Sequence, residues 1–199
     1  MRTLALLCMC VLAAGNPVRL LEVKTTCDMP VATLARRAIA EDVLKKTAFE
    51  WSADHKISDW TYKTITGNAA RALSVVRRNE ELKQSASLRC VAVGYSVHVK
   101  MPAFVAGYTS TVSVSKTICS TDDMIFERLE FENLPLVGHL TVVANTKLLP
   151  GSMHVTTATD IVMPAIFSVA PYLASTAEAY VKRRWRHKND LFVEELCGI

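Results

Sequence analysis

The feature that most constrains this chain is the change of periodicity in its last third. Strand-like runs separated by turn residues continue to Met163-Pro164, and about thirty residues with helical spacing follow. Five runs carry the strand signal: Leu88 to Lys100, Val105 to Ile118, Met124 to Glu132, Leu136 to Lys147 and Ser152 to Met163. Between them stand turn-prone residues, including Met101-Pro102, Ser120 to Asp123, Asn133-Leu134-Pro135 and Leu149-Pro150-Gly151. Connections this short force neighbouring strands to pair antiparallel, because a parallel crossover needs about a dozen residues or more.

Period-two patterning sets the faces. Val91, Val93, Tyr95, Val97 and Val99 share one side, as do Ile125, Leu129 and Phe131, and Leu136, Leu140, Val142 and Ala144. After Pro164 the stripe Ile166, Ala170, Leu173, Ala177, Val181, Trp185, Phe192 and Leu196 predicts an amphipathic helix, with Pro171 kinking it or marking where it becomes regular. Upstream, Leu20 to Cys27 alternates as a first strand. Asp28 before Met29-Pro30 then opens a helical stretch to about residue 50, as one helix or two short ones. Trp60, Tyr62, Thr64 and Thr66 alternate up to a turn at Gly67-Asn68; Ala72 to Arg78 reads as a further short strand and Glu80 to Ser87 as a loop. The expected fold class is α+β: a curved antiparallel sheet of about six to seven strands packed on a long C-terminal helix.

The first fifteen residues are of another kind. Arg2, the apolar run Leu4 to Ala14 and the small residues Ala13-Ala14-Gly15 have the layout of a secretory signal peptide. The expectation is a leader over 1–15 and one domain over 16–199, secreted or luminal; without a functioning leader the chain would be cytoplasmic. Of six cysteines, Cys8 and Cys10 fall in the leader. Cys27, Cys90, Cys119 and Cys197 remain, and they permit two disulfides in any of about three connectivities or stand as buried thiols. The formal charge of +4 drops to +3 without Arg2. Such a mild balance does not call for nucleic acid.

Strand, helical pair, antiparallel strands and a long closing helix, with a Gly151-Ser152 hairpin leading through Thr156, Thr157 and Thr159 to Pro164, give a chain that resembles the START-like, or Bet v 1-like, helix-grip superfamily (SRPBCC) over residues 20 to 196. The resemblance implies a sheet curled around the helix and a mostly apolar cavity for a lipid, sterol or polyketide-like ligand. A curved sheet cannot lie flush on a straight helix, so an apolar guest is a favourable occupant at roughly 25 cal/mol per Å² buried.

On this reading the ligand-binding candidates are Tyr95, Tyr108, Leu140, Val142, His154, Ile166 and Leu173. Each tyrosine serves equally well as an ordinary core residue. His154 and Asp160 share a side of one strand but stand about 20 Å apart, which excludes a direct catalytic pair. His98, His139 and His154 fall on separate runs without metal-ligand spacing, and no Gly-x-Ser-x-Gly elbow occurs, so neither metal, cofactor nor hydrolase chemistry is expected. The run Lys182 to Lys188 is the densest charge cluster. It reads either as a solvated helix face with Trp185 packed inward, or as a surface where Arg183, Arg184, Trp185 and Arg186 dock on an anionic membrane.

The expected function is therefore non-catalytic binding, and transfer between membranes, of a hydrophobic small molecule under the C-terminal helix. The competing readings are an enzyme on the same fold, of the cyclase or hydrolyase kind, and an interaction or structural protein whose sheet packs solid.

Overall fold

The computed structural model describes residues 18–49, 56–73, 76, 80–100, 109–133, 139–162 and 171–198. Among these, seven strands join in one antiparallel sheet of order β1-β7-β6-β5-β4-β3-β2. They are β1 Val18–Thr26, β2 Ile57–Ile65, β3 Arg89–Lys100, β4 Thr109–Ser120, β5 Met124–Glu132, β6 His139–Leu149 and β7 Ser152–Val162. From β2 through β7 each strand pairs with the next, while β1 closes on β7 at the far edge. The β6–β7 turn is tight because Gly151 takes a φ of 76°, in the left-handed region. Gly94 on β3 has a different role: a Cβ there would stand 2.8 Å from the Thr61 hydroxyl, which accepts from Gly94 N and bridges the irregular register between Ser58 and Thr61.

The two short helices α1 Val31–Arg37 and α2 Glu41–Lys46 follow β1. A long helix, α5 Pro171–Cys197, ends the chain. Its regular part begins at Pro171, where a proline suits the first helical position; its 27 residues span about 40 Å. α1, α2 and β1 all pack beside α5. Alternation decides what each strand turns toward the helix: Val91, Val93, Tyr95 and Val97 on β3, Val112 and Val114 on β4, Leu129 and Phe131 on β5, and Leu140, Val142 and Ala144 on β6 are all buried on this inner face. The result is the α+β helix-grip arrangement.

The outer face carries a second, smaller core. Here two expectations are corrected. Residues 67–72 form helix α3 (Gly67–Ala72), and Val76 is helical, where a turn and a strand were expected; Glu80–Gln84 is helix α4 rather than loop. Ala69, Ala70 and Ala72 favour helix over strand. Ala70, Val76 and Leu82 then cover Cys90, Cys119 and Phe126 on the outside of β3, β4 and β5. This covering is what a period-two reading of such a short apolar stretch misses.

The four cysteines Cys27, Cys90, Cys119 and Cys197 form two disulfides. Cys90 and Cys119 are direct cross-strand neighbours on the outer face. Cys27, just past β1, is bonded to Cys197 at the last turn of α5, 170 residues away in sequence. The Arg37 guanidinium donates to the Glu195 carbonyl and Lys46 pairs with the Glu195 carboxylate, so the C-terminal end of α5 is held by three separate ties.

Candidate functional site

Among the described residues, the buried charges of the inner face stand at one place. β4 presents Val112, Val114, Lys116 and Ile118 inward, and β5 presents Ile125, Glu127, Leu129 and Phe131. The strand register puts Glu127 opposite Ile118, with Ala144 and then Thr157 continuing the same row across β6 and β7. Lys116 stands one step up, in the row of Val93, Leu129 and Val142. Side chains from α5 reach the row of Ala144, Lys188 at Glu127 and Trp185 at Thr157.

They belong to the set Trp185, Lys188, Asn189, Phe192, Val193 and Leu196, a helical stripe at steps of three and four residues and all buried. Trp185 Nε1 donates to Thr157 Oγ1 at 3.0 Å and Asn189 Nδ2 reaches the same oxygen at 3.4 Å. Lys188 Nζ donates to both oxygens of Glu127, at 2.5 and 2.6 Å. Lys116 Nζ lies 3.0 Å from Glu127 Oε1 but off the direction along which it could donate, so the contact is an ion pair and the ammonium makes no hydrogen bond. Lys116 is 1% exposed and Glu127 3%, so bulk solvent does not reach the pair.

Two cations share one anion. Burial pushes the Glu127 carboxyl up, but the charges of Lys116 and Lys188 and their close approach to its oxygens more than reverse this and bring it down to about 2. For Lys188 burial is the largest influence and lowers its pKa; Glu127 raises it, Lys116 lowers it further, and it settles at about 8. The shifts of the two partners thus point in different senses, one favouring the ion and the other the neutral amine. The surplus positive charge explains this: the carboxylate has two counter-ions, whereas each ammonium has half of one. Aromatic faces offset part of the deficit, with Lys188 Nζ 4.7 Å from the Trp185 ring centre and 4.9 Å from that of Phe192, and Lys116 Nζ 5.7 Å from Phe192.

An aromatic cluster adjoins the charges. Phe49, three residues past α2, stacks on Trp185 at 5.6 Å and meets the edge of Phe131 at 5.0 Å. The Tyr95 hydroxyl accepts from Phe49 N at 3.0 Å, and its ring stacks on Trp60 at 5.5 Å. Burial holds the Tyr95 phenol well above its usual pKa, partly opposed by that hydrogen bond and assisted by the negative charge of Glu127. Neither Glu127 nor Tyr95 exchanges a proton near neutrality. Lys188 is moved toward it, but both its oxygen neighbours belong to Glu127, and no third group completes a proton relay among the described residues.

The expected site residues separate into groups. Tyr95, Leu140 and Val142 are buried on the inner face. His154 is not there: Met153, Val155 and Thr157 take the inward positions of β7, and His154 projects from the outer face, half-exposed, with Nε2 2.8 Å from Glu22 Oε1. Its removal from the cavity wall follows from the pleat. Tyr108 and Ile166 lie outside the described residues, and Leu173 is described in backbone only, on α5. In the basic run, Arg183 and Arg186 are exposed, and Arg184 leans over the Tyr180 ring at 5.6 Å. Trp185 is 0% exposed and Lys188 2%, so these two belong to the core and not to a docking surface.

Lys116, Glu127 and Lys188 were not singled out from the sequence. A signal existed: Lys116 and Glu127 interrupt apolar positions on the inward period of their strands, and Lys188 stands three residues after Trp185 and four before Phe192. Open pockets lie elsewhere among the described residues. One of about 440 Å³ borders the Cys27–Cys197 bond with Asp28, Met29 and Pro30; one of about 280 Å³ lies between Leu82, Ser85, Asp123 and Lys147. Among the described residues no group of His, Cys, Asp and Glu could hold a metal ion, and no helix is long and apolar enough to cross a membrane.

The architecture is an α+β helix-grip arrangement, a seven-stranded antiparallel sheet joined to a long C-terminal helix. No family model matches the chain, and no curated protein matches it in sequence. Among solved structures it is similar to the di-domain ARO/CYC StfQ from the steffimycin biosynthetic pathway, with TM-score 0.48 and 10% identity over 91% of this chain and 50% of that one. The chain therefore spans half the length of that protein. It is also similar to SA2116 from Staphylococcus aureus, a protein of unknown function, with TM-score 0.45 and 10% identity over 91% of each chain. A third similar structure is Ara h 8.0201, with TM-score 0.34 and 11% identity over 88% of this chain and 99% of that one.

Proposed function

We propose that the chain binds a hydrophobic small molecule, a lipid, sterol or polyketide-like compound, noncovalently between the inner face of its sheet and α5. The observation that carries this reading is the continuous apolar floor of Val97, Val112, Val114, Phe131, Leu140 and Val142. From the end bonded to Cys27, α5 passes Thr157 at Trp185, and its direction takes the N-terminal half toward this floor. The C-terminal half is sealed by Trp185, Phe192 and Leu196 and tied by the disulfide, so a ligand enters by movement of the other half. Apolar burial drives binding, and the neighbouring polar groups set orientation.

This reading takes residues 16–199 as one binding domain, secreted or luminal after loss of residues 1–15. Its two disulfides suit an oxidising compartment. Exposed Lys182, Arg183 and Arg186 on α5 form a basic strip suited to resting on anionic lipid during ligand exchange. Native mass spectrometry of the purified full chain, followed by organic extraction, tests the central reading. A discrete apolar adduct supports it; a bare protein that also fails to take up long-chain apolar probes contradicts it.

A further inference from the structure

The charged cluster is built at a cost that packing alone does not explain. Lys116 lies in the floor of the fold, its buried ammonium 3.0 Å from a Glu127 oxygen but at an angle that makes no hydrogen bond, beside a carboxylate that Lys188 already engages at both oxygens. An apolar side chain of similar length would leave Glu127 and Lys188 as a neutral, bidentate pair and remove both the surplus charge and the orphaned donors. The cluster so built carries one positive charge in excess, a balance that an anionic partner would close.

Its placement tells what kind of partner. Below Lys116 on the inner face is the row of Ile118, Glu127, Ala144 and Thr157, closed by α5. Above it, on the same strand and its neighbours, the inward residues are Val114, Phe131 and Leu140, with Val112 and Val97 beyond. Lys116 thus marks the boundary between the sealed, charged end and the apolar floor.

We infer that Lys116 receives the single anionic headgroup of an amphiphile, a long-chain carboxylate, whose apolar chain runs over Val114, Phe131 and Leu140. This rests on the proposed function and narrows its ligand class. One negative charge brings the cluster of two lysines and one glutamate to neutrality, and the carboxylate accepts from the donors that have no acceptor in the structure. Glu127 orients both ammonium groups and discourages a second anion. A neutral sterol or hydrocarbon would fill the floor but leave Lys116 unsatisfied.

The test compares dodecanoate with dodecanol at pH 7, following quenching of tryptophan fluorescence in the full chain and in Lys116→Met, with the melting temperature of each protein without ligand. The expected result is a preference of about tenfold or more for dodecanoate in the wild type, the worth of one charge-assisted hydrogen bond. In Lys116→Met that preference vanishes, dodecanol binding persists, and the unliganded protein melts at or above the wild-type temperature. Equal affinity of the wild type for both probes overturns the anion site while leaving the apolar binder intact. Binding of neither probe overturns the proposed function itself. A Lys116→Met protein that melts well below the wild type, or does not fold, shows that Lys116 is retained for stability and also overturns the inference, and the wild-type comparison stands without any variant.

Discussion

Lys188 on α5 and Glu127 on β5 form a buried bidentate pair, with Nζ 2.5 and 2.6 Å from the two carboxylate oxygens. The pair joins the closing helix to the middle of the sheet. With Lys116 as a second cation on the same carboxylate, it also makes the stability of the fold depend on pH in both directions.

On the acid side, Glu127 titrates at about 2 in the fold and near 4.5 when unfolded, so the unfolded chain takes up the proton first. Stability present above pH 4.5 is lost as the pH falls toward 2. On the alkaline side, Lys188 loses its proton at about 8 in the fold and at 10.5 when unfolded. The unfolded chain holds more protons in that interval, so stability rises from pH 8 toward pH 10. Tyr95 acts oppositely, because its raised pKa means the unfolded state ionises first and stability falls above pH 10. Thermal melts across pH 3 to 11 are expected to peak between pH 8 and 10, and Lys188→Met is expected to lack the rise above pH 8.

Trp185 is expected to act as a core residue. Trp185→Ala should destabilise the protein by roughly 3–5 kcal/mol, in the range of large-to-small core changes. Thr157→Val, which takes the acceptor from Trp185 Nε1 and Asn189 Nδ2, should cost about 1–3 kcal/mol. Denaturant unfolding measures both. A Trp185→Ala protein as stable as the wild type would place the indole at the surface instead.

The two disulfides are expected to differ in worth. Cys27–Cys197 closes a separation of 170 residues and Cys90–Cys119 one of 29, so chain entropy ranks the first higher, at about 5 against about 3.5 kcal/mol as upper figures. Paired Cys→Ser variants should follow that order in melting temperature. Hydrogen exchange in the Cys27→Ser/Cys197→Ser protein should rise most in the last turns of α5, where Arg37 and Lys46 are left to hold Glu195.

The basic strip is testable apart from the core. Replacing Arg183 and Arg186, both exposed, with Ser should leave the melting temperature nearly unchanged and weaken sedimentation with anionic liposomes, each arginine contributing roughly 1 kcal/mol. Unchanged liposome binding would remove this strip from the account.

Much of the layout is legible in the chain because alternation and turn residues agree. Val91 to Val97 and Leu140 to Ala144 alternate cleanly, and both runs are inward faces. Helices α3 and α4 are not legible in this way: short stretches such as Ala72 to Arg78 carry too few residues to separate period two from period 3.6, and their burial against Cys90, Cys119 and Phe126 is a tertiary fact. The charged cluster escapes for the opposite reason. A lysine in a basic run reads as solvated, yet Lys188 falls on the same helical stripe as Trp185 and Phe192, and only the register of β4 and β5 brings Lys116 and Glu127 together beneath it. His154 shows the converse, since its place one residue off the inward period turns it outward to Glu22.

The most direct measurement is native mass spectrometry of the full chain, as purified and after incubation with dodecanoate and dodecanol. The account predicts one apolar adduct per chain, displaced by dodecanoate more readily than by dodecanol. A protein that arrives bare and stays bare with both probes would mean that the sheet and α5 pack without room for a guest, and would contradict it.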